Sequence, residues 1–310
     1  MKLNCIFVAT MNSMRVKLTF LLLLTLGLAV NTDAQRWKRY RYEYSIGLGA
    51  TNFLGELGGA NQIGTNYFKD LEWSQTRFAF TTGLRYKLSN YFAFKTNLTY
   101  GRVSGDDKLT TEEFRSYRNL SFFSDIFEWN INFEGAFQQE QVGHRYRLRK
   151  VRGQRGYEIY TYGFVGVGIF KFDPRTEFNG KIIRLQPLGT EGQGLIPTRN
   201  KYSLWQMCIP IGVGFKYSMN RSWGLGVEFG IRKTFTDYID DVSTTYFDFQ
   251  NYAGYDPLAL QINDRSNRRN PERTAAGQQR GDPRDKDAYM FATFSIHYKL
   301  KNGRNNLPRF

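Results

Sequence analysis

The chain has 310 residues, with 43 Lys and Arg against 28 Asp and Glu, a formal net charge of +15. Charged residues make up 23% and mean hydropathy is −0.51, which excludes a bundle of membrane helices. Aromatics at 16% and 30 Gly favour a β protein over a helical one.

The N-terminus reads as a secretory signal. Arg15 and Lys17 precede LTFLLLLTLGLAV, an apolar run of 13 residues, and NTDAQ supplies small residues for a cut after Ala34. The run is too short for a spanning helix, which needs about 20 residues. Met14 is a better start than Met1, because it trims the leader to 21 residues. The expected division is therefore a leader over 1–34 and one domain over 35–310. No Cys follows the cut directly, which argues against a lipoprotein. Losing Lys2, Arg15, Lys17 and Asp33 takes the net charge from +15 to +13. Cys5 lies in the leader, so Cys208 alone remains and supports neither a disulfide nor a redox motif.

Eight segments then alternate with period 2, the signature of strands. They cover residues 41–50, 77–88, 91–102, 124–137, 157–172, 202–217, 223–235 and 289–300. In FEWNINFEGAF, Phe127, Trp129, Ile131 and Phe133 share one face, and Glu128 and Glu134 the other. The segment over 157–172 is less regular. Its apolar side shifts near Phe164 and Val165, which predicts a bulge. Pro210 predicts a local break in the ladder over 202–217.

The connections alternate as well. Long ones cover 51–76, 103–123, 173–201 and 236–288, against short turns at 89–90 and 219–222 and an intermediate link at 138–156. Strands of 10–16 residues exceed the usual soluble strand of about five or six and suffice to cross a bilayer at a tilt. Long loops at one end and short turns at the other predict an eight-stranded antiparallel outer-membrane β-barrel. Volume decides the face. Roughly forty large apolar side chains overfill the interior of an eight-stranded barrel, so they point outward to lipid. A lipocalin-like barrel or a two-sheet sandwich is the soluble alternative. With eight crossings, both mature termini lie on the periplasmic side and the long loops outside the cell.

On this reading the lumen holds charges of both signs, chiefly Glu43, Arg85, Lys95, Glu128, Glu134, Glu228 and Arg232. They fit either an ion path or a network of paired charges filling a narrow barrel. Catalytic constellations are thinly supported. His144 and His297 are the only histidines, with no nucleophile or carboxylate pattern around them, and Glu128 and Glu134 stand roughly 20 Å apart along one strand. GFVGVG (163–168) continues a strand and lacks the strand–turn–helix context of a nucleotide site. No cofactor or metal is expected, and nucleic acid does not suit an exported barrel. The link over 138–156 carries Arg145, Arg147, Arg149, Lys150, Arg152 and Arg155, suited to lipid headgroups or to an acidic periplasmic partner. The last long loop, with Asp237, Asp240, Asp241 and Asp248, reads as a mobile polar loop with an acidic rim; EF-hand spacing is absent.

LGATNFLGELGG (48–59), YRNLSFFSDIFEWNINFE (117–134), LQPLGTEGQG (185–194), RKTFTDYIDDVSTTYFD (232–248) and DKDAYMFATFSIHYK (285–299) together resemble the PorG-like outer-membrane β-barrel family of Bacteroidota. The likeness spans residues 42–300 and rests on order and spacing. It implies a small structural barrel of the type IX secretion system, associated with a periplasmic ring of a PorK-like lipoprotein and a PorN-like protein, and no catalysis. A small channel, or a barrel binding ligands through its outer loops, is the alternative.

Overall fold

The computed structural model describes residues 40–55, 57, 73–109, 113–138, 159–220, 222–266 and 270–301. Residues 1–34, expected to be a leader, His144 and all six basic residues of the 138–156 link lie outside that set.

Alternating side chains build ten strands among the described residues. They are β1 (Tyr42–Leu54), β2 (Arg77–Lys87), β3 (Phe92–Asp106), β4 (Ser121–Ala136), β5 (Ile159–Lys171), β6 (Pro174–Phe178), β7 (Lys181–Arg184), β8 (Trp205–Ser218), β9 (Trp223–Thr234) and β10 (Ala288–Leu300). Eight of them close a ring in the order β1-β2-β3-β4-β5-β8-β9-β10, every neighbour antiparallel. Tyr42 pairs with Leu300, so the two ends of the barrel chain lie side by side. Closure leaves no free edge among the eight, as a bilayer requires.

The face question has a direct answer in exposure. Phe127, Trp129, Ile131 and Phe133 are 38–49% exposed, whereas Glu128 and Glu134 are at most 1% exposed. The same phase runs round the ring: Tyr44, Ile46, Phe94, Leu98, Phe215, Phe294 and Ile296 point out. An apolar belt of this extent is stable only against lipid, so the fold is a transmembrane β-barrel.

Two expectations need correction. There is no bulge in β5. Val165 faces Ile211 and Gly168 faces Cys208, the same register on both sides of Pro210, so no residue is inserted. The irregular pattern arises because both faces of β5 are apolar: Tyr160, Tyr162, Phe164 and Phe170 point into the barrel. Glycines make room for them. A Cβ on Gly212 would lie 2.6 Å from the Phe164 ring, and one on Gly214 2.3 Å from the Tyr162 ring. Large side chains on β5 are thus exchanged against glycines on β8, so the interior admits aromatics as well as small polar groups.

The second correction concerns the last long connection. Its described residues fold, with those of the other long connections, into a cap and not a mobile polar loop. Asp237, Asp240 and Asp241 are at most 2% exposed. The cap contains α1 (Glu113–Arg118), the β6–β7 hairpin and α2 (Pro257–Asn263). Asn179 and Gly180 turn the hairpin with φ of 51° and 73°, the conformation that Asn-Gly favours between two strands. Leu57, Leu120, Phe172, Leu185, Ile239, Val242 and Ile262 from the connections pack with Phe53, Phe122, Ile126, Phe170, Tyr289 and Phe291 of the wall in one apolar cluster. Gly105 permits the approach, since a Cβ there would lie 2.2 Å from the Leu57 carbonyl oxygen.

Candidate functional site

The interior has three tiers. At the turn end stands a carboxylate hub. Glu43 on β1 is fully buried, and Lys216 on β8 donates to both its oxygens at 2.9 Å. Arg85 and Lys87 on β2 approach it at 3.8 and 3.9 Å, and His297 Nδ1 stands 2.9 Å from Oε1. Arg85 also reaches Glu134 at 2.5 Å, donates to the Tyr160 hydroxyl at 3.0 Å and lies 4.9 Å from that ring's centre. Lys95 meets Glu228 at 2.5 Å, and the Tyr162 hydroxyl donates to the same carboxylate.

The middle tier centres on Glu128. Arg232 Nε lies 3.3 Å from it, the Tyr289 hydroxyl donates at 2.7 Å and Asn130 donates as well. Asn97, the register partner of Asn130 on the adjacent strand β3, donates to Asn130 at 3.0 Å and extends the chain of bonds to that strand. Glu43, Arg85, Lys95, Glu128, Glu134, Glu228 and Arg232 thus all line the interior, each against an opposite charge. The aromatic hydroxyls of Tyr160, Tyr162 and Tyr289 complete the network. Sequence reasoning missed them because aromatics were assigned to lipid. The signal was there in the phase of β5, where even positions match the inward positions of its neighbours.

His297 has more company than its sequence neighbourhood suggested. Ser295 Oγ lies 2.8 Å from its Nε2, so Ser295, His297 and Glu43 stand in the order of a nucleophile–base–acid relay. The arrangement has no room for a substrate. Ser295 is 3% exposed, a Cβ on Gly47 would sit 2.9 Å from its Cβ, and its hydroxyl also faces the Gly226 carbonyl at 3.4 Å. Glu128 and Glu134 each serve separate partners and flank no common space.

The third tier is the apolar cluster, sealed above by the polar core of the cap. Glu191 accepts from the Ser243 and Thr244 amides at 3.0 and 3.1 Å and from Arg280 at 2.8 Å. Arg280, 2% exposed, also donates to the Asp241 carbonyl at 2.7 Å, and its own carbonyl accepts from Arg118 at 2.7 Å. Arg118 in turn grips Asp107 through two bonds of 2.8 and 3.0 Å. Asp240 accepts the Leu57 amide at 3.1 Å and ties the first connection to the last. A void inside the cap, lined by Leu57, Leu120, Ile262 and Arg280 among others, measures about 10 Å³, room for about one water molecule.

Asp241 holds a left-handed backbone with φ of 66° and accepts from the Tyr202 and Thr190 hydroxyls at 2.6 and 2.5 Å. Burial pushes its carboxyl up to about 6, with Glu191 adding to the rise and Arg280 opposing it. Burial likewise raises Asp237 to about 6. A carboxyl raised on folding favours the folded state when protonated. Its contribution therefore declines as pH climbs from about 4 to about 6 and is flat above. Hydrogen exchange of cap amides, corrected for intrinsic rates, should show protection falling across that window. Asp241→Asn, which suits the left-handed backbone, should flatten the slope; an unchanged slope would remove Asp241 from the explanation.

No protein-family model and no curated protein matches the chain. Among solved structures it is similar to Neisserial surface protein A, at 6% identity over 84% of this chain and 96% of that one, with a TM-score of 0.37. Ail, the attachment invasion locus protein of Yersinia pestis, matches at 8% identity over 84% and 99%, with a TM-score of 0.36. The N-terminal β-barrel domain of Pseudomonas aeruginosa OprF matches at 8% identity over 84% and 98%, with a TM-score of 0.33.

Proposed function

We propose that the protein is a structural barrel of the cell outer membrane, exported by a cleaved signal, that anchors or stabilises a secretion apparatus of the type IX class. The observation supporting a structural role is the filled interior. Paired charges occupy the lower lumen and an apolar cluster with a bonded cap fills the upper part. Such a body offers neither a conduction path nor a reacting site, and its rigidity suits it to hold partners. The resemblance to PorG-like barrels supplies the partner class: a ring lipoprotein and its periplasmic companion, met through the basic link over 138–156.

Crosslinking the tagged protein in its native outer membrane tests this reading. Recovery of the two ring proteins is expected. Reversing charge at Arg147, Arg149 and Arg152 to Glu should lower that recovery several-fold, while the heat-modifiable gel mobility of the folded barrel stays unchanged. Full recovery from the charge-reversed protein would exclude the link as the contact. A second reading, a surface-binding barrel, is favoured by the ordered cap; recovery of the barrel alone would transfer the function there.

A further inference from the structure

The outer wall carries a second charged cluster, separate from that of the lumen. Strand register sets Tyr100, Phe127, Lys171 and Trp205 in one row across β3, β4, β5 and β8. Tyr100, Phe127 and Trp205 are 44–55% exposed, and Lys171 is exposed with them. This row is the upper margin of the lipid-facing belt, where aromatic side chains mark the boundary between acyl chains and headgroups. Its Lys171 ammonium lies 5.9 Å from the Trp205 ring centre.

Immediately toward the loop end comes a fixed group of arginines. Arg102 on β3 meets its cross-strand neighbour Asp125 at 2.7 Å. Arg175 and Arg184, on the two strands of the hairpin, grip opposite oxygens of Asp173 at 2.7 and 3.0 Å, and Arg175 reaches Asp125 at 3.7 Å. The two carboxylates hold three guanidinium groups in place without neutralising them. With Lys171 the cluster has four cations against two anions. The arginine side chains remain 33–54% exposed. Below Lys171, Ile169, Trp205, Gln206 and Met207 line a shallow recess of about 210 Å³ in the apolar wall.

We infer that this face binds the phosphate group of an acylated lipid of the outer leaflet. The carboxylates fix the guanidinium groups beside one another, the excess positive charge attracts a phosphate, and Lys171 adds a point charge at the membrane boundary. The recess beneath receives the start of an acyl chain. Lipid and not free phosphate is the source, because the cations stand directly above an apolar surface that already lies in the bilayer. The inference rests on the orientation proposed above, with the loop end outside the cell.

The test uses the full-length barrel purified in mixed micelles with phosphorylated lipid A, and counts bound lipid by native mass spectrometry. Removing a cation should weaken retention about fivefold, so Lys171→Gln with Arg184→Gln should weaken it about 25-fold. Dephosphorylated lipid A should be retained as weakly by the wild type as by the variant. Equal retention of phosphorylated lipid by both proteins would overturn the site. Displacement by millimolar inorganic phosphate would overturn lipid as the source. Heat-modifiable mobility of the variant shows that it is folded. The orientation is read separately, by labelling Gly254→Cys in a Cys208→Ser background on intact cells. Labelling from outside supports the outer-leaflet source, and labelling only after permeabilisation overturns it. Recovery of ring proteins does not enter either measurement, so the partner reading stands or falls on its own.

Discussion

Glu43→Gln should cost about 3–5 kcal/mol of folding free energy, the largest effect of any single lumen substitution. Glu43 is the one carboxylate that meets Lys216, Arg85, Lys87 and His297 together. Removing its charge takes from Lys216, itself fully buried, the carboxylate that accepts two of its bonds. Three cations would then crowd one buried space with Glu134 as the nearest remaining anion of Arg85. Urea-induced unfolding in lipid vesicles, followed by gel mobility, measures the loss. Replacing both partners, Glu43→Met with Lys216→Met, should recover a substantial part of it, because the pair is then removed together. The wall pair Arg102–Asp125 is the contrast. Half-exposed at 45% on the Arg side, it should be worth only about 0–1 kcal/mol. Equal losses at the two sites would mean that burial is not what makes Glu43 important.

Arg280→Ala should release the cap while leaving the barrel closed. Its guanidinium joins Glu191, the Asp241 carbonyl and the Asn263 carbonyl, polar groups of three segments that also meet in the apolar cluster through Leu185, Val242 and Ile262. Truncation leaves the Glu191 carboxylate buried without its cation, a change of about 3–5 kcal/mol concentrated in one region. The amides of Ser243 and Thr244, which donate to Glu191, should lose hydrogen-exchange protection by two to three orders of magnitude, on the scale of about 1.4 kcal/mol per tenfold. Amides of β1 and β10 should keep theirs. Loss spread evenly over barrel and cap would show one cooperative unit and contradict the division of labour between wall and loops.

The barrel was legible in the sequence because a lipid-facing wall needs strict alternation over long strands, and FEWNINFEGAF and FATFSIHY supply it. The pairing of lumen charges was legible only as composition. Which carboxylate meets which cation depends on ring closure, as when Glu43 on β1 reaches Lys216 on β8, separated by 173 positions. The inward aromatics of β5 were hidden because Tyr and Phe suit either face; only Gly212 and Gly214 on the neighbouring strand decide it. The cap was the largest surprise. Asp237, Asp240 and Asp241 look like a solvated rim until Glu191 and Arg280, from two other parts of the chain, fold over them. The Asn179–Gly180 pair specifies its hairpin turn locally, through the positive φ that both residues adopt.

Planar-bilayer recording of the refolded protein tests the filled lumen most directly. The interior described here should give no steady current at 100–200 mV in about 1 M salt, since paired charges, Tyr160 and Tyr162 occupy the lower lumen and the apolar cluster the upper. Steps of uniform conductance in the wild type, abolished by no change in the cap, would contradict a closed barrel and favour the channel reading instead.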